Sequence, residues 1–166
     1  MKNIYLLFIL TASLNVFSQR LTLLNLYNLR NNSYSNVVQI LNDAGWVLDD
    51  KTESTNNSEL SSFSYNYKNT EKITYFYIKD DATQQHQRVL YSFTNENKQK
   101  VSSLQYSIFL PYNIYDNWID QTGDHIAYVD KSNLNIVLWT ERETANNGSV
   151  FFVMVFHKDD FDNNYR

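Results

Sequence analysis

Three histidines are the first residues to test for chemistry, because imidazole is the side chain that most readily exchanges a proton near neutral pH. His86 sits in the polar run TQQHQR, His125 follows Gly123, and His157 closes an apolar run. None belongs to an HExxH metal pattern or a GxSxG nucleophile elbow, so neither a zinc-bound water nor a serine triad is spelled out. They read as exposed or edge histidines. Glu141 and Glu143 lie two apart and on a strand project to one side, the minimum for a glycosidase-like carboxylate pair. Their place at a strand end reads as a solvated hairpin pair instead. Asp160, Asp162 and Asn164 in DDFDNNYR imitate the opening of a calcium loop, but the required Gly and distal Glu are missing. That stretch is expected to be a flexible acidic tail. No catalytic residue, metal ligand or cofactor is predicted.

Tyrosines are the remaining candidates. Tyr65, Tyr67, Tyr75 and Tyr77 recur with strand spacing, and a cross-strand ladder of such rings offers flat apolar faces and hydroxyls to a sugar or a protein partner. The competing expectation is that they pack beneath helices. Phe76 and Ile78 make the opposite side of the same strand apolar as well, so one of the two faces can exceed what the helices cover.

The elements that must position these residues follow from periodicity. RLTLLNLYNLR reads as a short helix, and Ser33 as the N-cap of a second, with Tyr34, Val37, Val38 and Leu41 on one face and Gly45 as its stop. Trp46 is expected to seal that helix onto a sheet. Asp49 to Ser62 has no useful periodicity and reads as an exposed loop. Strands follow at 63–67, 73–78, 88–93 and 104–110, linked by the polar turns KNTEK and TNENKQK into an antiparallel meander. Tyr115, Trp118, Ile119 and Thr122 stand at helical spacing before Gly123, with Trp118 placed where that helix meets the sheet. LNIVLWTE and SVFFVMVFHK are the last strands, turning at Asn147-Gly148.

The predicted class is α+β: an antiparallel sheet with helices on one face. Helix 34–44 plus strand 73–79 also matches helix 112–122 plus strand 151–157 at a constant offset, so two tandem helix-plus-hairpin halves, 19–110 and 111–166, are expected within a single domain, 19–166. This element order resembles the tandem α+β halves of β-lactamase-inhibitory proteins and of small envelope modules. Those inhibitors carry disulfides, which this chain lacks, so the resemblance implies an architecture and no site residues.

Composition narrows the function classes. The 166 residues contain no cysteine, which excludes a thiol nucleophile, a thiolate metal site and a disulfide scaffold. Acids outnumber bases 18 to 14 and no Lys/Arg cluster stands out, so nucleic acid is not an expected partner. The aromatic content of 16% supplies a core without staples.

Residues 1–18 have the layout of a secretory signal: Lys2, an apolar centre from Ile4 to Leu10, then smaller and more polar residues. The run is shorter than the roughly 20 apolar residues a spanning helix needs. Val16 and Ser18 suit cleavage between Ser18 and Gln19, and without a cysteine there no lipid anchor is expected. Removing Lys2 moves the formal charge from -4 to -5. The Met-Lys-Asn start and Phe-Ser-Gln ending resemble signals of small exported proteins of Bacteroidota-type bacteria. The expected protein is periplasmic or secreted, soluble and non-catalytic. It binds a protein partner, as an immunity or inhibitor protein does; the alternative is a cell-surface glycan-binding module using exposed tyrosines.

Overall fold

The computed structural model describes residues 21–53, 58–65, 71–78, 87–94, 103–105, 107, 112–144 and 148–165. The signal segment 1–18, its Ser18–Gln19 cleavage site, Tyr67, His86 and most of the two predicted polar turns lie outside them. The chain forms an α+β fold on one eight-stranded antiparallel sheet. Among the described residues two helices come first, α1 (Leu23–Arg30) and α2 (Tyr34–Asp43), then β1 (Trp46–Glu53), β2 (Ser58–Tyr65), β3 (Glu71–Ile78) and β4 (Arg88–Thr94). A second run comprises β5 (Asn113–Asp120), β6 (Gly123–Val129), β7 (Asn135–Glu143), β8 (Ser149–His157) and α3 (Lys158–Asn164). The strand order is β1-β2-β3-β4-β8-β7-β6-β5, so two four-stranded meanders meet at a central β4–β8 seam.

The helix starts follow local chemistry. Thr22 caps α1 through a reciprocal box with Asn25, whose backbone N–H donates to the threonine hydroxyl while its side chain accepts from Thr22 N. Leu23, Leu26 and Leu29 are buried on one side of α1. Ser33 occupies the N-cap of α2, but its hydroxyl pairs with Ser35 and makes no capping bond. Gly45 ends the helix in the left-handed region at φ 84°, and Trp46 enters β1 buried.

Both helices lie on one face of the sheet. There Val37 and Leu41 of α2 and the leucines of α1 meet Phe63, Ile73, Tyr75, Val89, Tyr91, Phe93, Val153 and Val155, all buried. Alternation sends Ile136, Leu138 and Phe156 to the opposite face, where Phe161 of α3 covers them together with Ala127. The helix pair therefore sits on one face as predicted, and α3 adds a smaller apolar layer on the other. α3 is held by a buried ion pair across the seam. Arg88 donates from Nε and Nη2 to Asp160 at 2.6 and 2.8 Å, and Asn164 adds a 2.8 Å bond to the same carboxylate. The guanidinium also lies 5.0 Å from the Phe76 ring centre and 5.3 Å from that of Tyr165. Burial works against the Arg88 charge, and the bonds to Asp160 outweigh it, leaving the group above its ordinary range.

Four expectations need correction. Residues 113–120 form β5 and not a helix, so the helix-to-helix match behind the proposed duplication is lost. The predicted loop 49–62 contains most of β1 and β2. Its buried positions include Ser58, Glu59 and Ser61, so no apolar alternation announces strands there. The predicted strand at 104–110 is helical at 103–105, where Leu104 joins the core, and mostly falls outside the described residues. The acidic tail is the helix α3, ordered by a pairing 72 residues away.

Candidate binding surface at the β5 edge

The free end of the second meander brings together the titratable residues singled out by spacing. β5 turns into β6 through Gln121 and Thr122, with Asp120 opposite Gly123. Gly123 is required by a close approach. Its φ is 138°, and a Cβ there would collide with the Glu141 carbonyl of β7. Gly123→Ala is expected to lower stability by more than about 1 kcal/mol, read by urea unfolding; a smaller loss would mean that β7 yields without cost.

Beyond the turn, Trp118, His125 and Thr140 face each other across β5, β6 and β7. His125, expected at the surface, is only 8% exposed. Its Nδ1 lies 2.8 Å from the Thr140 hydroxyl, and its Nε2 lies 3.0 Å from the Thr122 hydroxyl and 3.2 Å from Asp120 Oδ1. Trp118 stacks on the ring at 4.7 Å. Both nitrogens are thus engaged and one ring face is covered, so His125 is a pin for the hairpin with no nitrogen open to a substrate. Trp118 is half-buried, packing on His125 and Phe161 and not beneath a helix on the other face.

Asp120 accepts from the Thr122 hydroxyl at 2.5 Å and its backbone N–H at 2.6 Å. These bonds, the hydroxyl's first, hold the carboxyl well below its usual range, with His125 adding to the effect. A depressed acid contributes stability that is present above its unfolded value, about pH 4, and lost as pH falls further. Asp120→Asn is therefore expected to flatten the decline in Tm between about pH 4 and pH 2 relative to the parent. An unchanged slope would show that solvent screens the carboxylate fully.

On the other face of the same hairpin, Ile119 sits opposite Asp124 and Asp124 opposite Glu141. Asp124 and Glu141, together with Asp120, Gln121, Gly123, Arg142 and Glu143, line an open cleft of about 680 Å³. Glu141 and Glu143 do share a face, as spacing implied, and Asp120 and Asp124 make the lining a set of four carboxylates against one guanidinium. No group of three or more metal-ligating side chains is arranged to hold an ion among the described residues. Beside the cleft Ile119 is 79% exposed, and toward the other end of β5 Ile114 is 62% exposed.

The tyrosines lie elsewhere. Tyr75 is fully buried and donates its hydroxyl to the Asn32 carbonyl at 2.8 Å; Tyr77 is buried beside it, and both rings pack against Tyr34 of α2. Burial raises the Tyr75 hydroxyl above its ordinary range, as a core phenol requires. Tyr65 is half-buried against Trp46. A sugar ring has no access to the faces of Tyr75 or Tyr77. His157 caps α3, accepting from the Asp159 N–H at 3.3 Å.

Among the described residues no helix is long and apolar enough to cross a membrane. The class defined by fold and surface is an α+β protein with a single antiparallel sheet and an acid-rich open edge. No protein-family model matches the chain, and no curated protein or solved structure matches it.

Proposed function

We propose that this is an exported, non-catalytic binding protein that engages a protein partner through the acid-rich end of its second meander. A periplasmic immunity or inhibitor protein that occupies a basic site on a partner is the specific form. The observation that carries the reading is an isoleucine 79% exposed on an edge strand, directly beside a cleft lined by Asp120, Asp124, Glu141 and Glu143. Apolar surface flanked by one sign of charge supplies both contact area and steering toward a partner of opposite charge. His125, the one histidine of this hairpin, lies on its opposite face with both nitrogens committed to hairpin side chains, which favours binding over proton transfer.

The test is capture. The mature chain is used as bait on envelope and medium fractions, beside a variant carrying Asp124→Asn, Glu141→Gln and Glu143→Gln, and bound proteins are identified. A partner retained by the parent and lost from the neutralised variant is the expected result. Equal capture by both baits, or binding only on a glycan array, overturns the reading. For an immunity role, a gene for a toxin or secreted hydrolase is expected beside this one.

A further inference from the structure

We propose that the outer edge of β5 is a docking edge for an extended, basic segment of the partner, which adds to the sheet as a ninth strand. The inference rests on the binding reading above and names the mode of that binding. β5 ends the strand order, so among the described residues its outer side has no neighbouring strand. Edges left in that state are normally guarded by Lys, Pro or a covering element. NIYDNWID contains neither lysine nor proline. Its guards are the irregularity between Ile114 and Asp116 and two aspartates, Asp116 and Asp120, which repel an acidic strand and leave a basic one welcome. The opposite edge strand, β1, contains Lys51 and is packed by α2 on one face, though its Val47 is as exposed as Ile114; Ile119 of β5 stands more open than either.

Charge selects the occupant. Asp120 on the strand, with Asp124 on β6 and Glu141 and Glu143 further in on β7, gives this end of the edge a negative field that complements lysine or arginine side chains of an added strand. The same charges argue against a second copy of this chain. Antiparallel pairing of two β5 strands centred on Trp118 sets Asp116 of each against Asp120 of the other, and like charges directly opposite disfavour that register. An added strand of alternating residues, with its basic side chains on the Asp120 face and its small apolar ones on the Ile114 and Ile119 face, satisfies the backbone row, that carboxylate and the isoleucines together.

The probe is an acetylated and amidated octapeptide alternating lysine with valine or threonine, matched to the eight residues of β5. It is compared with an alternately N-methylated version of the same sequence, which keeps the charge and removes strand donors, and with a glutamate counterpart. Saturable binding is expected for the lysine peptide, with backbone amide shifts centred on residues 113–120. Each control peptide is expected to bind at least about tenfold more weakly. Ile119→Lys, at a position exposed enough to leave the fold intact, is expected to weaken the lysine peptide by a similar factor. Absence of saturable binding, equal binding of the N-methylated peptide, shifts elsewhere, or concentration-dependent dimerisation through β5 overturns the assignment. Applied to the captured partner, Ile119→Lys separates the two claims. Capture lost in the carboxylate variant but kept by Ile119→Lys overturns the docking edge and leaves the binding reading standing. Capture kept by the carboxylate variant overturns the binding reading itself.

Discussion

Asp160→Ala is expected to cost about 3 kcal/mol, at the lower end of the range for breaking a buried ion pair because Arg88 keeps some solvent contact. The Asp160 side chain is 0% and the Arg88 side chain 20% exposed. Removing the carboxylate leaves a guanidinium enclosed by Phe76, Phe156 and Tyr165 without its counter-charge, and takes away the Asn164 bond that closes α3. Urea unfolding followed by far-UV circular dichroism measures the loss. A paired replacement, Arg88→Met with Asp160→Leu, is expected to recover most of it, because an apolar pair of similar volume avoids the desolvation of both charges. A loss below about 1 kcal/mol for Asp160→Ala would place the pair among ordinary surface bridges.

Trp46→Ala is expected to cost about 3–5 kcal/mol, as large truncations in a packed core do. Trp46 is 4% exposed, and its ring lies 5.3 Å from Tyr65 and edge-on to Tyr91 at 6.3 Å. It directly follows Gly45, so it sets the angle at which α2 hands the chain to β1. Tryptophan emission is an unsuitable probe here, since the variant removes one of three tryptophans. Circular dichroism in urea reads the midpoint shift. A loss below about 1 kcal/mol would mean that Tyr65 and Tyr91 close the gap.

Much of the sheet was legible where one face is apolar and the other polar. Ile73, Tyr75 and Tyr77 announced β3, and Val153 and Val155 announced β8, because alternation reports a half-buried strand directly. β1 and the first part of β2, residues 58–62, are hidden for the opposite reason, while the 63–67 strand catches the end of β2. Glu59, Ser61 and Ser64 are buried polar residues, and Ser64 meets Asp49 through a hydroxyl bond that spacing cannot reveal. β5 has the spacing of a helix because its irregularity between Ile114 and Asp116 breaks the two-residue phase. Tyr115 and Trp118 face α3 while Ile114 and Ile119 face outward, so apolar residues fall at intervals of three and four. Within the candidate surface, Glu141 and Glu143 were found by spacing. Asp120 and Asp124 join them only because Gly123 lets β6 approach β7. The order of the C-terminal segment was invisible locally, since it depends on Arg88, in a strand of the other meander.

The strand order carries a consequence for synthesis. β4 emerges with β3 on one side, but its second partner, β8, is made only after β5, β6 and β7. Until then Val89, Tyr91 and Phe93 belong to a half-sheet whose interior strand is temporarily an edge, a state prone to pairing with neighbouring chains. A chain that stops before β8 therefore loses its middle, not its margin, and the second meander acts as the closure that converts an adhesive intermediate into a finished sheet.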